Sequence, residues 1–200
     1  MGHLTSAVDA LCGATTRIPV PCATDRLDLR PFREEDIKRF SELMADQEAT
    51  KYIGGPKSLA AAADSVRYMR DAFADRGWGT LAVVQRRDAA CIGYCGVRPL
   101  LNTPHVELAF ALERKSWNCG YATEASQAVL DLAFRHLAIS SVFATVYPDN
   151  RASIRVLTKL GMSLEGSIFG AWPRNSALLY RLDRAESPAG QAEGRLGNVT

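Results

Sequence analysis

Residues 106–125 read VELAFALERKSWNCGYATEA, and three kinds of local structure follow one another in this segment. In the first seven residues bulky apolar side chains alternate with Glu107, Ala109 and Ala111, which is the period of a strand with two distinct faces. One face therefore carries a carboxylate among small side chains and has room for a ligand. The plainer alternative is that Glu107 faces solvent on a half-buried sheet.

The remainder of the segment predicts a loop that leads into a helix, because apolar side chains return with a period of 3.6 from Ala125 to Leu137. A strand, a loop of glycine and small residues, and a helix N-terminus form an anion-binding arrangement, since free N–H groups and the helix dipole both favour negative charge. The loop is neither a Walker loop nor a dinucleotide fingerprint. A glycine before a helix also serves plain chain reversal.

A second informative segment, residues 147–162, reads YPDNRASIRVLTKLGM. Asn150 is a suitable N-cap and Gly161 a suitable residue just beyond a helix, so the pattern predicts a helix of about three turns between them. Capping alone would account for Asn150.

The rest of the chain alternates between strand and helix patterns, and its order predicts a mixed α/β (α+β) domain. We expect an N-terminal extension over residues 1–22, a single domain over 23–184 and a disordered tail over 185–200. Strands are predicted at 27–30, 80–85, 91–97, 106–112, 141–147, 162–168 and 178–182, and helices at 34–44, 58–73, about 121–136 and 150–160.

The composition excludes several function classes. With 24 basic and 22 acidic residues in 200, the chain shows no charge excess of the kind that binds nucleic acid or a membrane surface. The five cysteines are irregularly spaced, which argues against a disulfide framework and against a zinc site. We therefore expect a cytoplasmic protein with reduced thiols and no metal, whose partners are small molecules or peptides.

Four motifs occur in a fixed order: TDRLDLRPF from Thr24, IGYCGV from Ile92, WNCGYATEA from Trp117 and NRASIRVLTKLGM from Asn150. Together they resemble the GNAT superfamily of acyl-CoA-dependent N-acyltransferases, most closely its RimJ/RimL-like ribosomal-protein acetyltransferase branch. The resemblance covers about residues 24–184. It implies a GNAT-like central mixed, mostly antiparallel sheet, flanked by helices and splayed between its fourth and fifth strands, where it grips the pantetheine arm of acetyl-CoA.

The resemblance also implies the residues that bind the cosubstrate. Backbone groups around Phe110 and Leu112 pair with the pantetheine amides, and Asn150 and Ser153 lie beside the cofactor arm. Asn118 departs from the glycine that is usual in the branch, and Cys119 from the frequent lysine, so one phosphate-facing charge is expected to be missing. The pyrophosphate rests on backbone N–H groups of the loop formed by Trp117, Asn118, Cys119, Gly120, Tyr121 and Ala122.

For the chemistry we expect direct attack of an amine on the thioester in a ternary complex. An alkyl ammonium has a pKa near 10, so a base must remove a proton first, and Glu107 is the candidate, acting through one or two waters. Leu157 stands where many relatives carry a tyrosine acid. Ser153 or an ordered water is therefore expected to protonate the thiolate, although Ser153 also suits a purely local capping role.

The resulting expectation is an N-acetyltransferase that transfers the acetyl group of acetyl-CoA to a protein N-terminal α-amine. Alternatives are a small-molecule amine as acceptor, succinyl-CoA as donor, or a regulatory module that binds CoA without turnover. The chain is expected to be a monomer or homodimer. Residues 51–69 and 169–177 are expected to form the acceptor pocket, with Tyr52, Trp78, Phe169 and Trp172 as candidate lining side chains, unless these aromatics serve packing.

Overall fold

The computed structural model describes residues 17–100, 103–169 and 176–187. Within these ranges an eight-stranded sheet has the order β1-β2-β3-β4-β5-β6-β8-β7. The strands are β1 (Cys22–Ala23), β2 (Leu27–Arg30), β3 (Thr80–Gln85), β4 (Cys91–Pro99), β5 (Val106–Leu112), β6 (Ser141–Val146), β7 (Ser163–Phe169) and β8 (Ser176–Asp183). The α-helices are α1 (Ile37–Ala45), α2 (Gln47–Thr50), α3 (Leu59–Arg76), α4 (Tyr121–His136) and α5 (Arg151–Lys159).

The predicted fold class and its main elements are confirmed. Two short elements escaped prediction, β1 and α2, because segments of two and four residues are too short to show a period. Short 3-10 turns also flank the helical regions, for example at Glu34–Asp36 before α1. Because β1 adds a strand at the start, the predicted opening between the fourth and fifth strands lies between β5 and β6.

This opening follows from the strand pairing. β5 pairs with β4 along its whole length, from Val106 opposite Pro99 to Leu112 opposite Gly93. Within the described residues it pairs with β6 at one position, Glu107 opposite Phe143, in the parallel sense. From Ser141 to Val146, β6 pairs with β8 on its other side. The sheet therefore divides beyond Glu107, and the β6-facing edge of β5 is left open.

The two faces of the sheet pack against different helices. α4 covers one face, where Val129, Leu130 and Phe134 join the larger core. On the other face α1 supplies Phe40 and Leu43 to a second, smaller core beside β3 and β4. A bulge in β4 divides its side chains between the two cores. Val83 lies opposite Gly93 and Val84 opposite Cys91, so Ile92 is an extra residue.

The described part of the chain begins and ends within packed structure. Ile18 is buried in the larger core, and its N–H donates to the carbonyl of Gly77 over 2.9 Å. Residues 17–22 of the expected extension therefore pack against the domain, and Ser187 is buried at the other end. Residues 1–16 and 188–200, which hold the rest of the expected extension and tail, lie outside the described residues. No helix in the described ranges combines the length and apolarity needed to cross a membrane.

Gly93 is required by the close approach of β4 and β5. Its φ is +153°, and a Cβ at this position would overlap the carbonyl oxygen of Ala111 on β5. Gly166 in β7 offers a matched comparison, because its φ is +156° and no atom lies within 4 Å of a Cβ built there.

We expect Gly93→Ala to lower the free energy of unfolding by about 2–3 kcal/mol more than Gly166→Ala does, because overpacking adds to a shared backbone strain. Urea unfolding of the two variants measures the difference. Equal losses would show that crowding against Ala111 costs nothing.

Candidate active site

Glu107 lies at the point where β5 and β6 separate, and both of its carboxylate oxygens accept hydrogen bonds. The Nε of Arg98 on β4 donates to Oε1 over 2.8 Å, and the Oγ1 of Thr145 on β6 donates to Oε2 over 3.0 Å. The side chain is 8% exposed. The alternative in which Glu107 faces bulk solvent is therefore wrong, because the carboxylate is buried and ties three strands together.

The carboxylate still has capacity for a further partner. An ionised carboxylate offers about four lone-pair positions, and Arg98 and Thr145 use two of them. Beside it on the same face lie Ala109 and, opposite Ala109 on β4, Gly96. These small residues share a face with the carboxylate, as the alternation in the sequence predicted, and the room for a ligand beside it stays a prediction.

Two neighbouring groups on this face keep their protons. Burial raises the pKa of Tyr94, so its phenol is neutral at physiological pH. For Arg98, burial acts to lower the pKa, but the negative charge of Glu107 and its hydrogen bond prevail and raise it. Arg98 is therefore a permanent cation beside the carboxylate.

The loop before α4 adopts the left-handed conformation at two residues, Asn118 with φ +58° and Gly120 with φ +82°. Asparagine tolerates this region better than most residues with a side chain, which explains how it stands in place of the glycine usual in the branch. The indole N–H of Trp117 donates to the carbonyl of Leu112 over 2.7 Å and ties the loop to the end of β5. Cys119 is exposed.

A clamp that joins the first motif to this loop was not predicted from the sequence. The Nε of Arg26 donates to Oε2 of Glu124 over 2.7 Å, and its Nη1 donates to the carbonyl of Cys119 over 2.8 Å. The Oγ1 of Thr24 donates to Oε1 of Glu124 over 2.6 Å. The Arg26 guanidinium also lies 4.5 Å from the ring centre of Tyr121. A cation thus stands at the loop although the frequent lysine is absent.

The clamp shifts the titration of Glu124. Burial acts to raise its pKa, but the hydrogen bonds from Thr24 and Arg26, together with the charge of Arg26, lower it below its ordinary value. Glu124 is therefore ionised throughout the physiological range. Because Arg26 and Glu124 are 98 residues apart, no local pattern could have paired them.

The other expected site residues are grouped at the start of α5. Asn150 accepts a hydrogen bond from the backbone N–H of Ser153 over 3.2 Å, so its predicted capping role is confirmed. Ser153 lies one turn before Leu157, which is fully buried in the larger core, so both residues lie on the helix face toward the sheet. Within the described ranges no direct hydrogen bond joins this group to Glu107.

The side chains expected to line the acceptor pocket lie in different parts of the structure. Trp78 is buried in the larger core and serves packing. The hydroxyl of Tyr52 donates to the carbonyl of Asp149 over 3.2 Å, and its ring lies 6.2 Å from that of Tyr147. Tyr52 therefore bridges from the segment after α2 to the loop that follows β6. Trp172 and the side chain of Phe169 lie outside the described residues.

Phe110 packs its side chain against the larger core and belongs to the part of β5 beyond the single described pair with β6. The fold thus brings together, along one opening, a buried carboxylate, the backbone of β5, a loop rich in N–H groups and the start of α5. A sequence model described as an acetyltransferase (GNAT) domain matches residues 26–163. The chain belongs to the GNAT acetyltransferase family.

Relatives and solved structures agree with this membership. The uncharacterised N-acetyltransferase YoaA of Bacillus subtilis is 30% identical over 150 residues, which cover 72% of this chain and 82% of the relative. An acetyltransferase structure from Agrobacterium tumefaciens is 28% identical, with a TM-score of 0.71, and the match covers 82% of this chain and 95% of that one. RimL, a ribosomal L7/L12 alpha-N-protein acetyltransferase solved with coenzyme A, shares the fold at 16% identity, with a TM-score of 0.71 over 82% of this chain and 98% of its own.

Membership in the GNAT family makes the chain an acetyltransferase and makes acetyl-CoA its expected donor. The residues of the site fit such a ligand. The open β5 edge offers backbone groups to an extended amide-bearing arm. The loop and the N-terminus of α4 offer N–H groups to a pyrophosphate.

We expect Arg26→Ala to raise the Kd for CoA about 10-fold while kcat at saturating acetyl-CoA changes less than about 2-fold, because a lost charged hydrogen bond loosens the loop but not the reacting groups. Calorimetry and steady-state kinetics measure the two effects. Arg86→Ala is the control, since Arg86 donates to the carbonyl of Thr24 without touching the loop. Equal weakening in both variants would assign the effect to net charge.

Glu124 also predicts a pH dependence of stability. A carboxyl whose folded pKa is lowered stabilises the fold above its unfolded pKa of about 4.3, and this contribution is lost as pH falls through the folded pKa. The stability difference between the wild type and Glu124→Gln should therefore be larger at about pH 7 than at about pH 3. Urea unfolding at both pH values measures it. Glu42→Gln is the control, because the Glu42 side chain is 54% exposed and pairs with Arg39 on the same helix. A pH dependence of the same size in both variants would contradict the role of the clamp.

Proposed function

We propose that the chain transfers the acetyl group of acetyl-CoA to a primary amine by direct attack in a ternary complex. The observation that carries this proposal is the buried carboxylate of Glu107, which Arg98 and Thr145 fix at the closed end of the opening between β5 and β6. A donor whose arm pairs with β5 toward Leu112 brings its acyl end to this point.

In this mechanism Glu107 accepts the proton that the ammonium must lose before it can attack. It does so directly or through one or two waters, using the lone pairs that Arg98 and Thr145 leave available. A backbone N–H on the open edge of β5 polarises the thioester carbonyl as the amine nitrogen forms its bond to the carbonyl carbon. The carbon–sulfur bond then breaks.

The departing thiolate needs only a weak acid, because a thiol has a pKa near 8.5. Leu157 cannot supply the proton, since its side chain is apolar and buried in the core. Ser153, one turn earlier on the same face of α5, or a water beside it is the donor in this proposal. The hydroxyl of Ser153 accepts and donates no hydrogen bond within the described ranges, so it is available to a thiolate.

For the acceptor we propose a protein N-terminal α-amine. The support is the shared fold with RimL, whose own described activity is alpha-N acetylation of ribosomal L7/L12. The Tyr52 hydroxyl bonds to the carbonyl of Asp149 beside Asn150, and in this proposal the Tyr52 ring lines the path of the acceptor.

Glu107→Gln tests the base. Glutamine keeps the shape and an acceptor for Arg98 but removes the negative charge, so we expect kcat to fall by about 10²–10⁴ at neutral pH with acetyl-CoA affinity unchanged. CoA release over a panel of N-terminal peptides and small amines, together with acetyl-CoA titration, measures both quantities.

Glu113→Gln is the control, because this carboxylate just beyond β5 pairs with Arg39 and Lys115 and not with the site. Unchanged turnover in Glu107→Gln would remove Glu107 from the role. Stabilisation by acetyl-CoA without CoA release from any amine would instead support the non-catalytic binding module.

A further inference from the structure

Arg98 uses only part of its guanidinium to hold Glu107. The Nε atom donates to Oε1 of Glu107, whereas Nη1 and Nη2 donate to no acceptor within the described ranges. The side chain is 55% exposed. The planar edge formed by the two Nη groups matches a carboxylate in bidentate geometry. Arg98 therefore presents an unused carboxylate-binding edge.

This edge lies beside the reacting atoms of the proposed function. Arg98 is the cross-strand partner of Glu107, and both belong to the face that carries Gly96 and Ala109. Nη1 and Nη2 are bonded to the same carbon as the Nε that holds Glu107. A group bound to them is therefore next to the amine and the acyl carbon in the ternary complex.

Other arginines near this face have their charged ends occupied. Arg181 lies opposite Phe143 on β8, and its Nε and Nη2 both approach Oδ1 of Asp183, at 2.9 and 2.8 Å. Arg30 forms a bidentate pair with Asp36. Arg98 differs because its one carboxylate partner is engaged from the Nε side.

We infer that the Nη edge of Arg98 binds a carboxylate carried by one of the two substrates, either on the acceptor close to its amine or at the far end of the acyl group. This inference rests on the proposed function and specifies its substrate class. The electrostatics favour it during the reaction. While Glu107 is ionised it neutralises Arg98, and once Glu107 has taken the proton, the charge of Arg98 is uncompensated and attracts the substrate carboxylate more strongly.

The two sources of the carboxylate are separated by matched substrate pairs. Succinyl-CoA and butyryl-CoA have acyl chains of the same length and differ in a terminal carboxylate. Two acceptor pairs, used with acetyl-CoA as donor, differ in a carboxylate near the amine. One pair is the peptides Ala-Asp-Ala-Gly amide and Ala-Asn-Ala-Gly amide, and the other is L-alanine and L-alaninamide. The ratio of kcat/KM within each pair, from CoA release, is the readout.

Arg98→Gln isolates the proposed edge. The amide nitrogen of glutamine stands at the position of the arginine Nε and keeps a donor toward Glu107, whereas Cζ and both Nη groups are removed. Thr145→Val is the control, because it removes the other hydrogen bond to Glu107 and leaves Arg98 intact. A loss of base positioning lowers kcat/KM for both members of a pair and leaves their ratio unchanged.

We expect at least one pair to favour the carboxylate by about 10- to 100-fold in the wild type and in Thr145→Val, and by less than about 2-fold in Arg98→Gln. The pair that responds identifies the source. The absence of a preference in every pair, or a preference that survives in Arg98→Gln, overturns the inference.

If the wild type turns over no substrate, the proposed function fails. The carboxylate-binding edge of Arg98 is then tested by ligand affinity. Calorimetry then compares the affinities of succinyl-CoA and butyryl-CoA for the wild type and for Arg98→Gln. It also compares the affinities of the two members of each acceptor pair for both proteins saturated with CoA. A carboxylate preference lost in the variant supports the subsite, and equal affinities overturn it.

Discussion

One buried carboxylate connects the two halves of the sheet. Glu107 accepts from β4 through Arg98 and from β6 through Thr145, and its own residue forms the one described backbone pair between β5 and β6. Beyond this point β6 continues with β8, and in the described part of the chain β5 pairs only with β4. The carboxylate therefore lies at the residue where the opening between β5 and β6 starts. In the proposed mechanism the base therefore lies where the open edge of β5 begins.

The loop before α4 shows how local backbone and distant side chains act together. The left-handed conformations of Asn118 and Gly120 shape the turn, and the bond from Arg26, in the connection between β1 and β2, to the Cys119 carbonyl fixes it from a segment far away in sequence. An anion site built on a helix N-terminus needs no large excess of basic side chains, because backbone N–H groups supply most of the hydrogen bonds. This agrees with a chain whose net charge is only +2.

Periodicity predicted most of the helices and strands, because β5, α4 and α5 each show their period within a single segment. The loop and Glu107 were predicted for the same reason. The splayed sheet was expected from the resemblance of the four motifs to the GNAT superfamily. Arg98, Thr145 and the Arg26–Glu124 clamp were not predicted, because each depends on strand register or on contacts between segments far apart in sequence. Arg98 faces Glu107 through the register of β4 on β5, and the period of a single strand does not give the register of a pair.

The open edge of β5 also bears on how the protein behaves before any ligand arrives. An exposed strand edge usually invites pairing with another molecule and hence aggregation. Here the edge lies inside the sheet, with β6 diverging beside it and α4 covering one face, so a second protein strand would have to enter a wedge that narrows to a single backbone pair. A slender extended arm can enter such a wedge where a folded neighbour's sheet cannot. This geometry makes the inner edge of β5 a poor template for pairing with another sheet.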